Sequence, residues 1–383
     1  MRIILIVKED IKFFPPIITI INSIAELGYS LSVIGHYSDM VQKNEMERKG
    51  VDFYDVGAYD IKGSYINKIF QNSNFRSKVR KIVRDIVPAD EDYYIWIIQS
   101  NTIGLLNKLV DSHPVILHPL EFTGKRVGRG YRLLSPRYNV EKTYQKARKV
   151  VNCEYNRAQI TKGLLNLEAL PFVLPNKMYV DEKKLQEVPD DILSLVEDLK
   201  ERIRGKKVIL YQGIFLDKER RLEEFCQAVD MLDDQYCLIA MGPESDIYNR
   251  LKEKYESDKF IFIDFIRPPY HLLVTQLAHI GILTYFPRSL NITTVINPLY
   301  CAPNKIFEYG KFGVPMISND IPGLHYIFQE FGCGLGVKYP MTPELIVEAI
   351  KEIFRDYDDF SKGAIDYFNS VDVKKIIKEI IES

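Results

Sequence analysis

NPLYCAPNKIFEYGKFGVPMISND, residues 297–320, reads as a loop, a short helix and a strand in succession. Pro303 and Asn304 open the helix, because proline suits a first turn whose amides have no partner inside the helix. Glu308 lies one turn inside, and Gly313 stops the helix ahead of a strand at 315–318. A helix start offers unpaired N–H groups and positive potential, so a phosphate or diphosphate is well placed at Asn304 and Lys305. A carboxylate one turn on can accept both hydroxyls of a ribose. The entering loop at 300–302, with Tyr300 and Cys301, faces the same place.

The strand–helix alternation extends outward in both directions. Upstream, strands are predicted at 208–211, 237–241, 260–265 and 281–284, with a turn at Gly213 and helices at 222–232, 248–255 and 270–277. The first half repeats the cycle, with strands at 1–7, 31–35, 52–56, 93–99, 115–117 and 150–153 and an early helix at 17–27 between Pro16 and Gly28. Such alternation predicts the α/β class, with parallel sheets covered by helices on both faces. At 383 residues the chain exceeds what one core supports. The expectation is two doubly wound, Rossmann-like domains facing a central cleft: residues 1–177, and residues 178–364 with a linker at 178–205 that carries a helix. Residues 365–383 are expected to pack back on the first domain. Ligands in such sheets bind beyond the carboxyl ends of the strands.

Composition narrows the class. A hydrophobic share of 46% with 27% charged residues is that of a folded globular chain and excludes extended disorder. Cys153, Cys226, Cys237, Cys301 and Cys333 form no CxxC pair, and an odd number in a long chain describes no disulfide framework. The opening MRIILIVKED is too short an apolar run for a secretion signal, and no stretch is long enough to span a membrane. A cytoplasmic location is expected.

The net charge is −1, yet residues 123–150 carry Lys125, Arg126, Arg129, Arg132, Arg137, Lys142, Lys146, Arg148 and Lys149 against Glu141 alone. That imbalance suits an anionic neighbour such as the inner face of a membrane, although charge runs also occur as plain solvated faces. No nucleic-acid-binding motif accompanies it, so nucleic acid is not an expected partner.

Other motifs exclude. Gly332-Cys333-Gly334-Leu335-Gly336 does not complete a GxGxxG and has no strand-to-helix context, which argues against a nicotinamide enzyme. The histidines show no HExxH or zinc spacing, and neither Asp90-Glu91-Asp92 nor Asp356-Tyr357-Asp358 reads as a metal site, so no metal and no cofactor is expected. His118, just past a buried strand, is expected at the mouth between the domains, where it can hydrogen-bond a ligand; Glu121 is a second candidate there.

At these residues the chain resembles the retaining family 4 glycosyltransferases of the GT-B superfamily over nearly its whole length. PNKIFEYGKFGVPMIS is similar to that family's Lys-x-x-Glu-Tyr segment, which implies that Glu308 binds the ribose. YQGIFLDKERRLEEFCQAV resembles the glycine-turn segment and implies that Arg220 binds the diphosphate. FIFIDFIRPPYHLLVTQLAHIGI looks like the base-binding loop and implies that backbone near Ile266 holds the base; PVILHPLEF is similar to the strand that carries a cleft histidine, here His118. Two positions depart. The family often has an acid where this chain has Tyr300, and an arginine where it has Ile214. The loop at 300–302 is then expected to use backbone amides, with Arg220, Lys218 or Lys305 left to serve the diphosphate.

The resemblance implies a metal-independent, retaining glycosyltransferase that takes a nucleotide-diphosphate sugar, UDP-sugar first, as donor, bound in the second domain. The acceptor is a glycan or lipid-linked glycan bound in the first. A GT-B-fold sugar-nucleotide epimerase and a non-catalytic partner subunit of a transferase are the rivals.

Overall fold

Ile3 to Val7 are wholly buried, an unbroken apolar run that only a strand covered on both faces can hide. In the computed structural model, which describes residues 1–60, 63–126, 135, 138–180, 185–287 and 291–383, this run is the heart of β1 (Arg2–Asp10). Around it stand β2 (Ser30–His36), β3 (Val51–Asp55), β4 (Tyr93–Ile98), β5 (Val115–His118), β6 (Lys149–Asn152) and β7 (Phe172–Val173). Their order is β3-β2-β1-β4-β5-β6-β7, and every pairing is parallel. The Tyr65–Ile86 helix covers one face through Phe75, Val79 and Val83. The Pro15–Glu26 and Val373–Glu382 helices cover the other, where Ile377, Ile380 and Ile381 meet Ile17, Ile20 and Ile21.

The second sheet holds β8 (Lys207–Gln212), β9 (Tyr236–Gly242), β10 (Phe260–Asp264), β11 (Ile280–Leu283), β12 (Met316–Asn319) and β13 (Gly334–Val337), in the order β10-β9-β8-β11-β12-β13, again all parallel. Two cores, one on each face, sandwich it. The chain thus divides into a unit of Met1–Tyr179 with Asp372–Ser383 and a unit of Val180–Val371. The Tyr357–Ser370 helix lies in the second unit and the Val373–Glu382 helix in the first.

Two strands have no counterpart in the sequence reading. β7 is two residues long and carries no periodicity. β13 falls in the Gly332–Gly336 run, where the glycines serve close packing: a β-carbon on Gly334 would lie 2.3 Å from the Met316 carbonyl oxygen of β12. The Ile292–Leu299 helix is also additional.

The basic segment is partly neutralised. Lys125 pairs with Glu141 at 2.8 Å and Lys146 with Asp111 at 2.5 Å. Lys149 is buried; its Nζ donates to the Ile380 carbonyl at 2.6 Å and lies 4.5 Å from the centre of the Tyr94 ring, so it caps the last turn of the Val373–Glu382 helix. Arg129, Arg132 and Arg137 lie outside the described residues. Among the described residues no helix is long and apolar enough to cross a membrane.

Candidate functional site

In the second sheet the strand order turns round between β8 and β11, and at such a point the connections leave in opposite directions and open a crevice. A cavity of about 340 Å³ occupies it, lined by Gln212 and Gly213 after β8, Met241 and Gly242 at the end of β9, Phe265, Ile266, Pro268 and His271 beyond β10, Tyr285 beyond β11, and Ala302, Pro303, Asn304, Lys305 and Glu308. The two glycines let the crevice form. Gly213 has φ +140, and a β-carbon there would fall 2.6 Å from Lys305 Nζ.

The Lys305–Lys311 helix is short, and its register is fixed from below. Tyr309 is fully buried, donates to the Leu210 carbonyl at 3.0 Å and packs against Gly281, where a β-carbon would stand 2.5 Å from its ring. With Tyr309 pointing into the sheet, Lys305 and Glu308, three apart on the helix, both turn to the cavity. That is the physical content of the Lys-x-x-Glu-Tyr spacing.

Glu308 is buried and held on both oxygens: Gln212 Nε2 donates to Oε2 at 2.6 Å, and His271 Nε2 lies 3.5 Å from Oε1. Thr275 Oγ1 in turn donates to Gln212 Oε1 at 2.8 Å, which orients the amide so that its NH2 meets the carboxylate. Burial pushes the Glu308 carboxyl up, but His271, Lys305 and Gln212 together outweigh it and leave the group below the ordinary glutamate value. Glu308 is an anion in a fixed pose.

Two cations stand over one ring at the cavity wall. The Arg220 guanidinium lies 4.4 Å from the centre of the Tyr285 ring and Lys305 Nζ 5.9 Å. Arg220 is strapped down by a bond from Nη1 to the Thr284 carbonyl at 3.3 Å, and the Thr284 hydroxyl donates to the Arg220 carbonyl. Asn319 clamps Tyr285 by receiving its N–H and donating to its carbonyl, each at 2.8 Å. Burial, then Arg220, pushes Lys305 down to about 8. Two cations gathered on one ring favour an anion beside them.

Of the residues singled out in the sequence, Gly213, Ile266, Asn304, Lys305 and Glu308 line this one cavity, and Arg220 flanks Tyr285 at its wall. Tyr300 and Cys301 lead into it, but Ala302 and Pro303 form the lining there. Asn304 makes no side-chain cap, and the helix behind it has seven residues, so its dipole is a minor contribution beside Arg220 and Lys305. His118 belongs to the first unit, where it is buried beside Trp96 with Nε2 3.6 Å from Cys153 Sγ; burial pushes it down to about 3, so the ring is neutral. Gln212, Thr275, His271 and Tyr285 were not singled out. Their signal lay in neighbours of quoted motifs, the glutamine of YQG and the histidine of PPYH.

No protein-family model matches the chain, and no curated protein matches it in sequence. Solved structures do. HepE of Anabaena in complex with UDP superposes with a TM-score of 0.67 at 14% identity, covering 100% of this chain and 99% of that one. A glycosyltransferase from Rickettsia africae gives 0.67 at 13%, covering 100% and 97%. A UDP-N-acetylglucosamine 2-epimerase gives 0.62 at 14%, covering 100% and 95%. The chain has the GT-B fold, two doubly wound α/β units of seven and six parallel strands. At these identities the likeness is one of fold, and function has to be argued from the site.

Proposed function

We propose that the protein is a glycosyltransferase of the family 4 kind, moving a sugar from a nucleotide-diphosphate sugar, UDP-sugar first, to a glycan or lipid-linked glycan, with retention and without a metal. The observation that carries this reading is that one cavity of about 340 Å³ gathers an anchored carboxylate, Glu308, with the Lys305 ammonium and, at its wall, the anchored Arg220 guanidinium. Glu308 accepts the ribose hydroxyls, and backbone at Ile266 meets the base. Arg220 and Lys305 meet the diphosphate and stabilise the negative charge that grows on it as the sugar departs. Because Thr284 holds Arg220 before any ligand arrives, little reorganisation of the guanidinium is needed during reaction. Acceptor binding falls to the first unit, with His118 as its neutral hydrogen-bonding group.

The epimerase neighbour favours one second reading. Epimerisation through proton or elimination chemistry needs acids and bases around the sugar. Among the described residues lining the cavity the one carboxylate is Glu308, already engaged by Gln212 and His271. Thermal unfolding against a panel of UDP-, GDP- and dTDP-sugars in EDTA tests donor binding, since a ligand of the folded state raises its stability. UDP-sugars are expected to protect most, and protection by none would overturn the donor site. Proton exchange at the sugar of a bound UDP-sugar in D2O, without acceptor, would identify an epimerase.

A further inference from the structure

The Tyr65–Ile86 helix has a second face that the sheet does not use. Tyr65, Ile66, Ile69 and Phe70 are 43%, 67%, 44% and 70% exposed, a run of large apolar side chains turned to solvent at the start of the helix. At 3.6 residues per turn, Arg80, Lys81 and Arg84 continue the same stripe further along, with the small polar Ser73 and Ser77 between. The buried Phe75, Val79 and Val83 lie on another side. From Tyr65 to Arg84 the helix carries Lys68, Arg76, Lys78, Arg80, Lys81 and Arg84 and no acid; Asp85 is the first.

We propose that this stripe docks the protein on an anionic lipid surface, with the helix lying along the interface. A leaflet supplies both complements at once: the acyl boundary takes Ile66, Ile69 and Phe70, and anionic headgroups take the arginines and lysine. It does so without demanding a shaped partner. The proposal is independent of the donor cavity, which lies in the other unit. It is a separate surface from the 123–150 segment, in which Lys125, Lys146 and Lys149 have partners within the fold.

Pelleting of the whole chain with phosphatidylcholine vesicles, with and without a third of phosphatidylglycerol, at about 50 and about 500 mM salt tests it. Binding is expected to the anionic vesicles alone and to fall with salt. Arg80→Gln with Lys81→Gln should weaken it about 25-fold, at about fivefold per cation. Ile66→Ser with Phe70→Ser should weaken it tenfold or more, while all variants keep the parent's circular dichroism and melting temperature as the check on folding. Equal binding to neutral vesicles, parent-like binding by both variants, or a concentration-dependent dimer that both variants abolish would each overturn the proposal.

Discussion

The backbone at Gly242 rests on the backbone at Gly213: a β-carbon on Gly242 would fall 2.0 Å from the Gly213 carbonyl oxygen. The obstacle is main chain, so no rotamer change relieves it. Gly242→Ala is expected to lose about 2–3 kcal/mol in urea unfolding, at the upper end of overpacking costs. Gly213→Ala meets the flexible end of Lys305 instead, but it also forces an L-residue to φ +140, so it too is expected to lose stability and, unlike Gly242→Ala, to lose nucleotide affinity by displacing that cation. Parent-like UDP affinity in folded Gly213→Ala would contradict the distinction.

Glu308→Gln keeps the side-chain volume and removes the charge, so the charge-assisted bonds to a ribose weaken. UDP affinity is expected to fall about tenfold to a hundredfold, roughly 1.5–3 kcal/mol, with circular dichroism unchanged. Parent-like affinity by calorimetry would place the ribose elsewhere.

Arg220→Ala is expected to lower turnover more than it lowers uridine binding, because the guanidinium acts on charge that develops at the diphosphate. Lysine at that position should restore part of the rate, without the strap to Thr284. Steady-state kinetics at saturating donor decide it.

Lys305 supplies a pH signature. It titrates near 8 when folded, lowered by burial and Arg220, and near 10.5 when unfolded. Its charge is present below about 8, so UDP affinity should decline as pH rises through that value, and Lys305→Met should flatten the profile. Between those two values the unfolded chain binds the extra proton, so stability of the unliganded protein should rise over that window.

His118 behaves in the opposite pH range. Folded, it is pushed down to about 3 by burial, against 6.5 for a free ring. As pH falls through 6.5 the unfolded chain takes up a proton that the folded chain refuses, so stability declines from there toward 3. His118→Phe should remove that slope. If His118 also serves the reaction, the same variant loses turnover at neutral pH while remaining folded.

The alternation of apolar runs with helical spacing made both sheets legible, because parallel strands buried on two faces must be apolar throughout, as Ile3 to Val7 are. Glycine-rich β13 escaped, since its residues are chosen for close approach to Met316 rather than for apolar area. In the site, Glu308 and Lys305 were legible because helix geometry fixes their spacing. Gln212, His271 and Thr275 were not: Gln212 and His271 meet Glu308 from two separate segments, Thr275 holds Gln212 from the second of them, and only the fold brings 212, 271, 275 and 308 together. The contribution of Lys149 was misjudged for the same reason, since Ile380 is 231 positions away along the chain.

That contact between Lys149 and the Val373–Glu382 helix sets an order of events during synthesis. Ile377, Ile380 and Ile381 complete the core over Ile17, Ile20 and Ile21, yet the ribosome delivers them only after all of residues 180–371. At 5–20 residues per second the first unit waits roughly 10 to 40 s with one face of its sheet covered by the Pro15–Glu26 helix but not yet by its partner. The unit that is made first is therefore finished last, and for that interval its apolar face is the natural client of a chaperone.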